Sequence, residues 1–142
     1  MGAGQSDLYK GTYGDDIGNI PSELTGITMP NHENAVTPKE KFTEYSLNYD
    51  NPNAKGKAES YENALGYTKK NADGLIRQID DAIRNETVSP IEIIESEFGV
   101  KYKYRISIKG ANGQVKNVIA VYQVDNGDII PRMITNYVER KR

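Results

Sequence analysis

The sequence has no cysteine, no tryptophan and a single histidine, His32, among its 142 residues. Without cysteine the chain can form neither a disulfide framework nor a thiolate zinc site, and it has no cysteine nucleophile. A lone histidine excludes paired-histidine nucleases, HExxH metalloproteases and multi-histidine zinc sites. Stability must therefore come from packing, and any catalysis must depend little on histidine.

Other common signals are also missing. No apolar run approaches the ~20 residues needed to cross a bilayer, and no signal peptide opens the chain, so we expect a soluble domain without membrane insertion. Neither a GxxxxGK[ST] loop nor a GxGxxG turn is present, so we expect no nucleotide cofactor. Glu95 and Glu97 share a face of a predicted strand while Glu92 does not, and we therefore expect no metal site.

Charge is present but unevenly placed. Residues 1–98 contain 9 Lys and Arg against 17 Asp and Glu, a net charge of −8, whereas residues 99–142 contain 9 against 3, a net charge of +6. A basic function would lie in this C-terminal third, and the alternative is a solvated sheet with an excess of lysine.

The organisation of the chain follows from its periodicity. Residues 1–36 are rich in Gly, Asp, Asn, Pro and Ser, with sparse apolar residues, and are predicted to be a flexible arm or linker. Residues 37–142 are predicted to form one domain, which begins with three helices at about 38–47, 55–65 and 72–85. The first helix has an apolar side made of Phe42, Tyr45 and Leu47. The third has the clearest apolar stripe: Leu75, Ile76, Ile79, Ala82 and Ile83.

After Pro90 the apolar period changes to two, which predicts four strands between about 91 and 138. Asn112-Gly113 and Asn126-Gly127 between them are strong hairpin signals. Helices followed by an uninterrupted antiparallel meander predict an α+β fold, with the helices packed on one face of the four-stranded sheet.

The second predicted strand has one apolar face and one basic face. The apolar side consists of Tyr102, Tyr104, Ile106 and Ile108, and the basic side carries Lys101, Lys103, Arg105 and Lys109. Cations at two-residue spacing suit the successive phosphates of a nucleic acid. Lysines on an exposed strand equally deter pairing with other chains, so both interpretations stay open.

The last predicted strand also carries candidate residues. Strict alternation places Met133, Thr135 and Tyr137 on one face and Arg132, Ile134, Asn136 and Val138 on the other. A hydroxyl, a phenol and nearby cations can bind a phosphodiester and stabilise the charge that develops when a ribose 2′-hydroxyl attacks it. For Tyr137 a purely structural role in the sheet is the alternative.

Several segments in this order resemble a known family. They are Leu65-Gly66-Tyr67-Thr68, Asn71 to Ile76, Phe98 to Tyr102, Lys109 to Gly113, and Pro131 to Tyr137. From about Met29 to Val138 the chain is similar to an uncharacterised domain found at the C-termini of bacterial polymorphic toxins, of the contact-dependent growth inhibition type, and in phage proteins. Its ending also resembles the last strand of toxin ribonucleases with the barnase, EndoU, colicin and RelE fold.

This resemblance implies a metal-independent endoribonuclease acting on RNA, often transfer RNA, with an immunity protein as partner. Such a domain would be released from a larger secreted or surface-delivered protein and would act in the cytoplasm of the target cell. The resemblance implies catalytic roles for four residues: Lys101, Arg132, Thr135 and Tyr137. The stripe residues Lys103, Arg105 and Lys109 would then bind RNA.

Two departures from the resembled families affect this assignment. Asn136 stands where their members usually have a small residue, and the histidine pair of the better-understood members is missing. His32 is therefore a further candidate site residue. Two other classes of function remain: a non-enzymatic binding module, such as an immunity or phage accessory protein, and a toxin with different chemistry, such as deamination or ADP-ribosyl transfer. The lack of cysteine argues against zinc deaminases.

Overall fold

The computed structural model describes residues 28–140 and confirms the α+β fold. A π-helix, Lys41–Ser46, precedes two α-helices, α1 (Lys55–Leu65) and α2 (Ala72–Arg84), and short 3₁₀ turns lie at His32–Asn34 and Lys69–Asn71. Four strands follow: β1 (Glu92–Ser96), β2 (Gly99–Lys109), β3 (Val115–Asp125) and β4 (Arg132–Val138). Every neighbouring pair is antiparallel and the strand order is β1-β2-β3-β4, which is the predicted meander.

The first helix differs in type from the prediction. The Leu47 amide donates to the Phe42 carbonyl, five residues back, which is the π-helical pattern. This wider turn lets Phe42 and Leu47 both face the core, where they are 0% and 2% exposed. Tyr45, predicted on the same apolar side, is instead 53% exposed. The α-helical period was the wrong one for this segment.

The two α-helices lie where the sequence predicts them and pack on the sheet. Gly66 ends α1 with φ 73°, a left-handed conformation that glycine adopts without strain. The buried residues of α2 are Ala72, Leu75, Ile79, Ala82 and Ile83. Only Ile76 of the predicted stripe is partly exposed, and it packs against the edge of the core. Burial of such a face supplies most of the stability of a helix this short.

The register of the sheet corrects the prediction for β4. The apolar side of β2 is buried as predicted, and it faces the helices. On β4, a bulge lies opposite Val121 and Tyr122 and leaves Ile134 as an extra residue. Because a bulge shifts the alternation by one residue, Met133 and Asn136 face the core, both 1% exposed. Arg132 pairs with Gln123 and Thr135 with Val121, so both lie on the opposite, outer face, which strict alternation did not predict.

Most of the predicted arm, residues 1–27, lies outside the described residues. Its last part, residues 28–36, belongs to the folded domain, because Met29 and Ala35 are both fully buried. Arg84 on α2 donates to the carbonyls of Glu33 and Ala35 at 3.2 and 3.0 Å. Residues 28–36 are therefore part of the fold rather than of the predicted arm. Two buried apolar side chains were too few to produce a periodic signal.

Candidate active site

A lysine, a hydroxyl and a phenol meet where α1 crosses the edge strand β4. The Lys57 ammonium donates to Thr135 Oγ1 at 2.9 Å, and it lies 5.9 Å from the centroid of the Tyr137 ring. Thr135 and Tyr137 are two residues apart on β4, so their side chains share the outer face. Because β4 is the edge of the sheet, Lys57 reaches past it from the first turn of α1 to this face.

The surroundings of Lys57 weaken its hold on a proton. Partial burial lowers the pKa of the Lys57 ammonium below its usual 10.5, and the nearby charge of Lys41 lowers it further. Among residues 28–140, no carboxylate lies within ion-pair distance of Lys57 to oppose this effect. A lysine with a lowered pKa can exchange a proton at a lower pH than an ordinary lysine.

A surface groove of about 370 Å³ opens beside the three residues. Gly56, Lys57 and Ser60 of α1 line one wall, and Tyr137, Val138 and Arg140 line the other. These lining residues include two cations, Lys57 and Arg140, and two hydroxyls, those of Ser60 and Tyr137. The groove therefore presents cations and hydroxyls together, which suits an anion such as a phosphodiester.

A buried hydrogen bond fixes the two walls of this groove relative to each other. Tyr61, one helical turn after Lys57, donates its hydroxyl to Asn136 Oδ1 at 2.7 Å. Both residues are at most 1% exposed, and burial raises the pKa of Tyr61 far above its usual value. Asn136, a departure from the resembled families, therefore joins α1 to β4 between the candidate residues Thr135 and Tyr137.

The structure brings six of the seven residues predicted from the two strands into three rows across the outer face. Cross-strand pairing forms the rows Lys101-Gln123-Arg132, Lys103-Val121-Thr135 and Arg105-Ile119-Tyr137. The seventh, Lys109, lies at the far end of β2 opposite Val115.

Most of the basic residues on this face are already paired with carboxylates. Arg105 binds both carboxylate oxygens of Glu139 at 2.7 Å, and the hydrogen bonds hold the pKa of Glu139 below its usual value. Arg132 likewise binds Asp125 at 2.7 and 3.1 Å and lowers its pKa. Lys103 lies 3.7 Å from Glu92. Within residues 28–140, Lys101 and Lys109 make no such ion pair. The stripe is therefore far less positive than its sequence indicates.

His32, the further candidate site residue, contacts the C-terminal end of α2 and not the residues of the outer face. Its Nδ1 lies 3.1 and 3.0 Å from the carbonyl oxygens of Ile83 and Arg84, and its Nε2 lies 3.1 Å from Glu86. These contacts satisfy free carbonyls at the C-terminal end of α2. The geometry is that of a helix cap.

Lys57 is the residue that sequence reasoning missed. It lies in the acidic half of the chain, on a helix whose periodic sequence signal comes only from its apolar residues. No local motif distinguishes it from Lys55. The proximity to Thr135 joins residues 78 positions apart and depends on the crossing of α1 over β4.

Two further features were sought among the described residues: a metal site and a membrane-spanning helix. No cluster of three or more His, Asp or Glu side chains suited to a metal ion is found among them. In the same part of the chain, no helix has the length and apolarity needed to cross a membrane.

Comparison with known proteins identifies a family but no activity. The model of a family described as a domain of unknown function, DUF6883, matches residues 28–140. The match spans most of the chain, and the chain belongs to this family. No curated protein and no solved structure matches it.

Proposed function

We propose that this DUF6883 domain is a metal-independent endoribonuclease whose reacting phosphate binds in the groove between α1 and β4. The position of Lys57 carries the proposal, because its ammonium is held by Thr135 beside the Tyr137 ring at the rim of that groove. A preorganised cation at a phosphate site stabilises the charge that develops in the transition state.

In the proposed reaction, the ribose 2′-oxygen gives its proton to solvent water as it attacks the neighbouring phosphorus. The bond from phosphorus to the 5′-oxygen breaks, and that oxygen takes a proton from the Lys57 ammonium, which solvent then restores. The products carry a 2′,3′-cyclic phosphate and a 5′-hydroxyl. Lys57 stabilises the nonbridging oxygens, and its lowered pKa allows it to exchange a proton during the reaction. Thr135 orients the ammonium, and the Tyr137 hydroxyl is a second donor to the phosphate.

The biological setting forms part of the same proposal and rests on the resemblance of the sequence segments to polymorphic toxins. The substrate would be RNA, with transfer RNA as the favoured class. The domain would be released from a larger delivered protein into a target cell, and the producing cell would be protected by an immunity protein.

The decisive test is cleavage of total bacterial RNA by the full chain in the presence of a metal chelator. We expect fragments that end in 2′,3′-cyclic phosphate, and we expect Lys57→Met to reduce their formation by on the order of 10² to 10³-fold. The matched control is Lys55→Met, because Lys55 lies in the same helical turn but lines no part of the groove. Absence of cyclic phosphate, or equal effects of the two substitutions, would contradict the proposal.

A non-enzymatic binding module is the second candidate, and the neutralised outer face favours it. Two of the three predicted RNA-binding cations, Lys103 and Arg105, have carboxylate partners at 3.7 and 2.7 Å, and so does the predicted catalytic residue Arg132, at 2.7 Å. Such pairing suits a surface that recognises a protein better than one that holds a polyanion. Expression of the chain alone in bacteria separates the two candidates: growth arrest supports the nuclease, and harmless expression supports the binding module.

A further inference from the structure

A second groove, of about 520 Å³, continues from the candidate active site toward the β2–β3 hairpin. The two grooves share four residues, so a ligand in one can extend into the other: Gly56, Ser60, Val138 and Arg140. The second groove is lined further by Glu59, Asn63 and Ala64 on α1, by Gln114 just before β3, and by Lys116 at the start of β3. It therefore has polar walls on both sides, one from a helix and one from the sheet.

The two walls are held together at one end. The hairpin residue Asn112 donates its backbone amide to the Leu65 carbonyl and its side-chain amide to the Ala64 carbonyl, both at 3.3 Å. Gly110 permits this approach, because a Cβ at that position would lie 2.5 Å from the Leu65 carbonyl oxygen. The groove is thus a preformed feature, and segments of the family resemblance, Leu65-Gly66 and Gly110 to Gly113, build its end.

The polar side chains of this groove have no hydrogen-bond partner among the described residues. Ser60, Asn63 and Gln114 make no side-chain hydrogen bond within residues 28–140, and Asn63 and Gln114 are exposed, so their polar atoms are available to a ligand from solvent. An amide side chain offers a donor and an acceptor together, the combination that reads the edge of a nucleobase. Arg140, exposed between the two grooves, offers a guanidinium plane on which a base can stack.

Gly56 indicates that space is kept open here. It lies in the first turn of α1, in a conformation that alanine would favour, and a Cβ there would meet no atom within 4 Å. Gly56 is exposed, so the space beside it is open to a ligand from solvent. Nothing in the described part of the chain fills the space, and Gly56 lines both grooves.

We propose that the second groove is a nucleotide-binding subsite that takes the base of an unpaired RNA nucleotide next to the reacting phosphate. Asn63 and Gln114 hydrogen-bond the base edge, Arg140 stacks on its face, and Gly56 leaves room for the ribose and phosphate that join the two sites. The inference rests on the proposed ribonuclease function and adds its substrate class: single-stranded RNA with a base preference.

The test uses the full chain and fluorescent single-stranded oligo(U), oligo(A) and oligo(C) of equal length. The wild type should prefer one homopolymer, and Asn63→Ala and Gln114→Ala should reduce that preference by about 10-fold or more, as expected when a base contact is lost. Gly56→Leu should weaken binding at least as much without lowering the melting temperature, because leucine is a better helix former than glycine. Gly56→Ala should bind almost normally. The surface control is Arg77→Leu, an exposed position on α2 that lines neither groove.

The outcomes distinguish this subsite from the catalytic proposal. If the wild type cleaves RNA but the Gly56, Asn63 and Gln114 variants keep its binding and preference, the subsite is overturned and the nuclease stands. The wild type could instead show a base preference, with the variants losing it, but cleave no RNA. That outcome would support the subsite and contradict the nuclease. Failure of the wild type to bind any of the oligonucleotides overturns the subsite, whereas the nuclease is overturned by the absence of cleavage of total RNA.

Discussion

Two basic regions of this domain differ in two respects: whether a sequence pattern predicts them, and whether carboxylates pair with their cations in the fold. The outer face of β2 carries an alternating row of cations that is obvious from the sequence, yet Lys103 and Arg105 are paired with carboxylates. The groove that Lys57 lines follows no visible sequence pattern, yet neither Lys57 nor the nearby Lys41 has a carboxylate partner within the described residues.

This difference shows why sequence periodicity predicts which residues share a surface more readily than it predicts which residues form a site. Alternation along a strand reports which side chains share a face, but the carboxylates that neutralise them come from other strands, as Glu139 does for Arg105. A surface ion pair contributes only about 0–1 kcal/mol to stability, so its main effect here is on the local potential. A partly buried lysine beside another lysine is electrostatically costly, and such a cost is more typical of functional positions.

After that of Lys57→Met, the largest expected effect concerns the hydroxyls in contact with Lys57 or beside it. Tyr137→Phe and Thr135→Val should each reduce RNA cleavage by on the order of 10²-fold, about 2.7 kcal/mol of transition-state stabilisation, with RNA affinity and folding nearly intact. Cleavage rates at saturating RNA and thermal denaturation would measure the two effects. Tyr49→Phe is the control, because its hydroxyl donates to Glu62 at 2.5 Å and lies in a different pocket. Unfolding of the Tyr137→Phe variant would assign Tyr137 a structural role in the sheet.

The second expected effect is a pH dependence of folding stability that is caused by Lys57. The folded state lowers the pKa of Lys57 below 10.5, so the unfolded chain binds this proton more tightly. Folding is therefore opposed by the Lys57 charge at neutral pH, and this cost is relieved as pH rises through the lowered pKa toward 10.5. The melting temperature of the wild type relative to Lys57→Met should increase between pH 7 and pH 10.

Two features make this measurement specific. Burial raises the pKa of Tyr61 and Tyr122 in the wild type and the variant alike, so their contributions cancel in the difference. In a Lys41→Ala background the dependence should become smaller, since the charge of Lys41 helps to lower the pKa of Lys57. A difference that stays constant from pH 7 to pH 10 would show that Lys57 is not perturbed by the fold.

The fold was predictable from the sequence, whereas the spatial grouping of the candidate site residues was predictable only in part, and particular residues show why. The helix at Lys55–Leu65 has a periodic apolar face and a glycine stop, and both ends were predicted to the residue. The β4 bulge was not predicted, because Ile134 carries no signal that distinguishes an extra residue from a regular one. The same bulge decides that Arg132 joins Thr135 and Tyr137 on one face. The proximity of Lys57 to Thr135 could not be predicted, because it depends on how two elements distant in the sequence pack together.

The smallest expected effect compares two kinds of cation on the outer face: those with a carboxylate partner and those with none among the described residues. If this face contacts RNA, removing an unpaired cation should lower the log–log salt dependence of binding by about 0.7, the value for one phosphate contact on a single strand. Lys101→Ala and Lys109→Ala should each approach this value. Lys103→Ala and Arg105→Ala should change the slope less, because Glu92 and Glu139 already neutralise these cations and few counterions are released when RNA binds. Equal changes for all four would show that RNA displaces the carboxylates, and no change for any of them would leave the Lys57 groove as the basic surface on which binding depends.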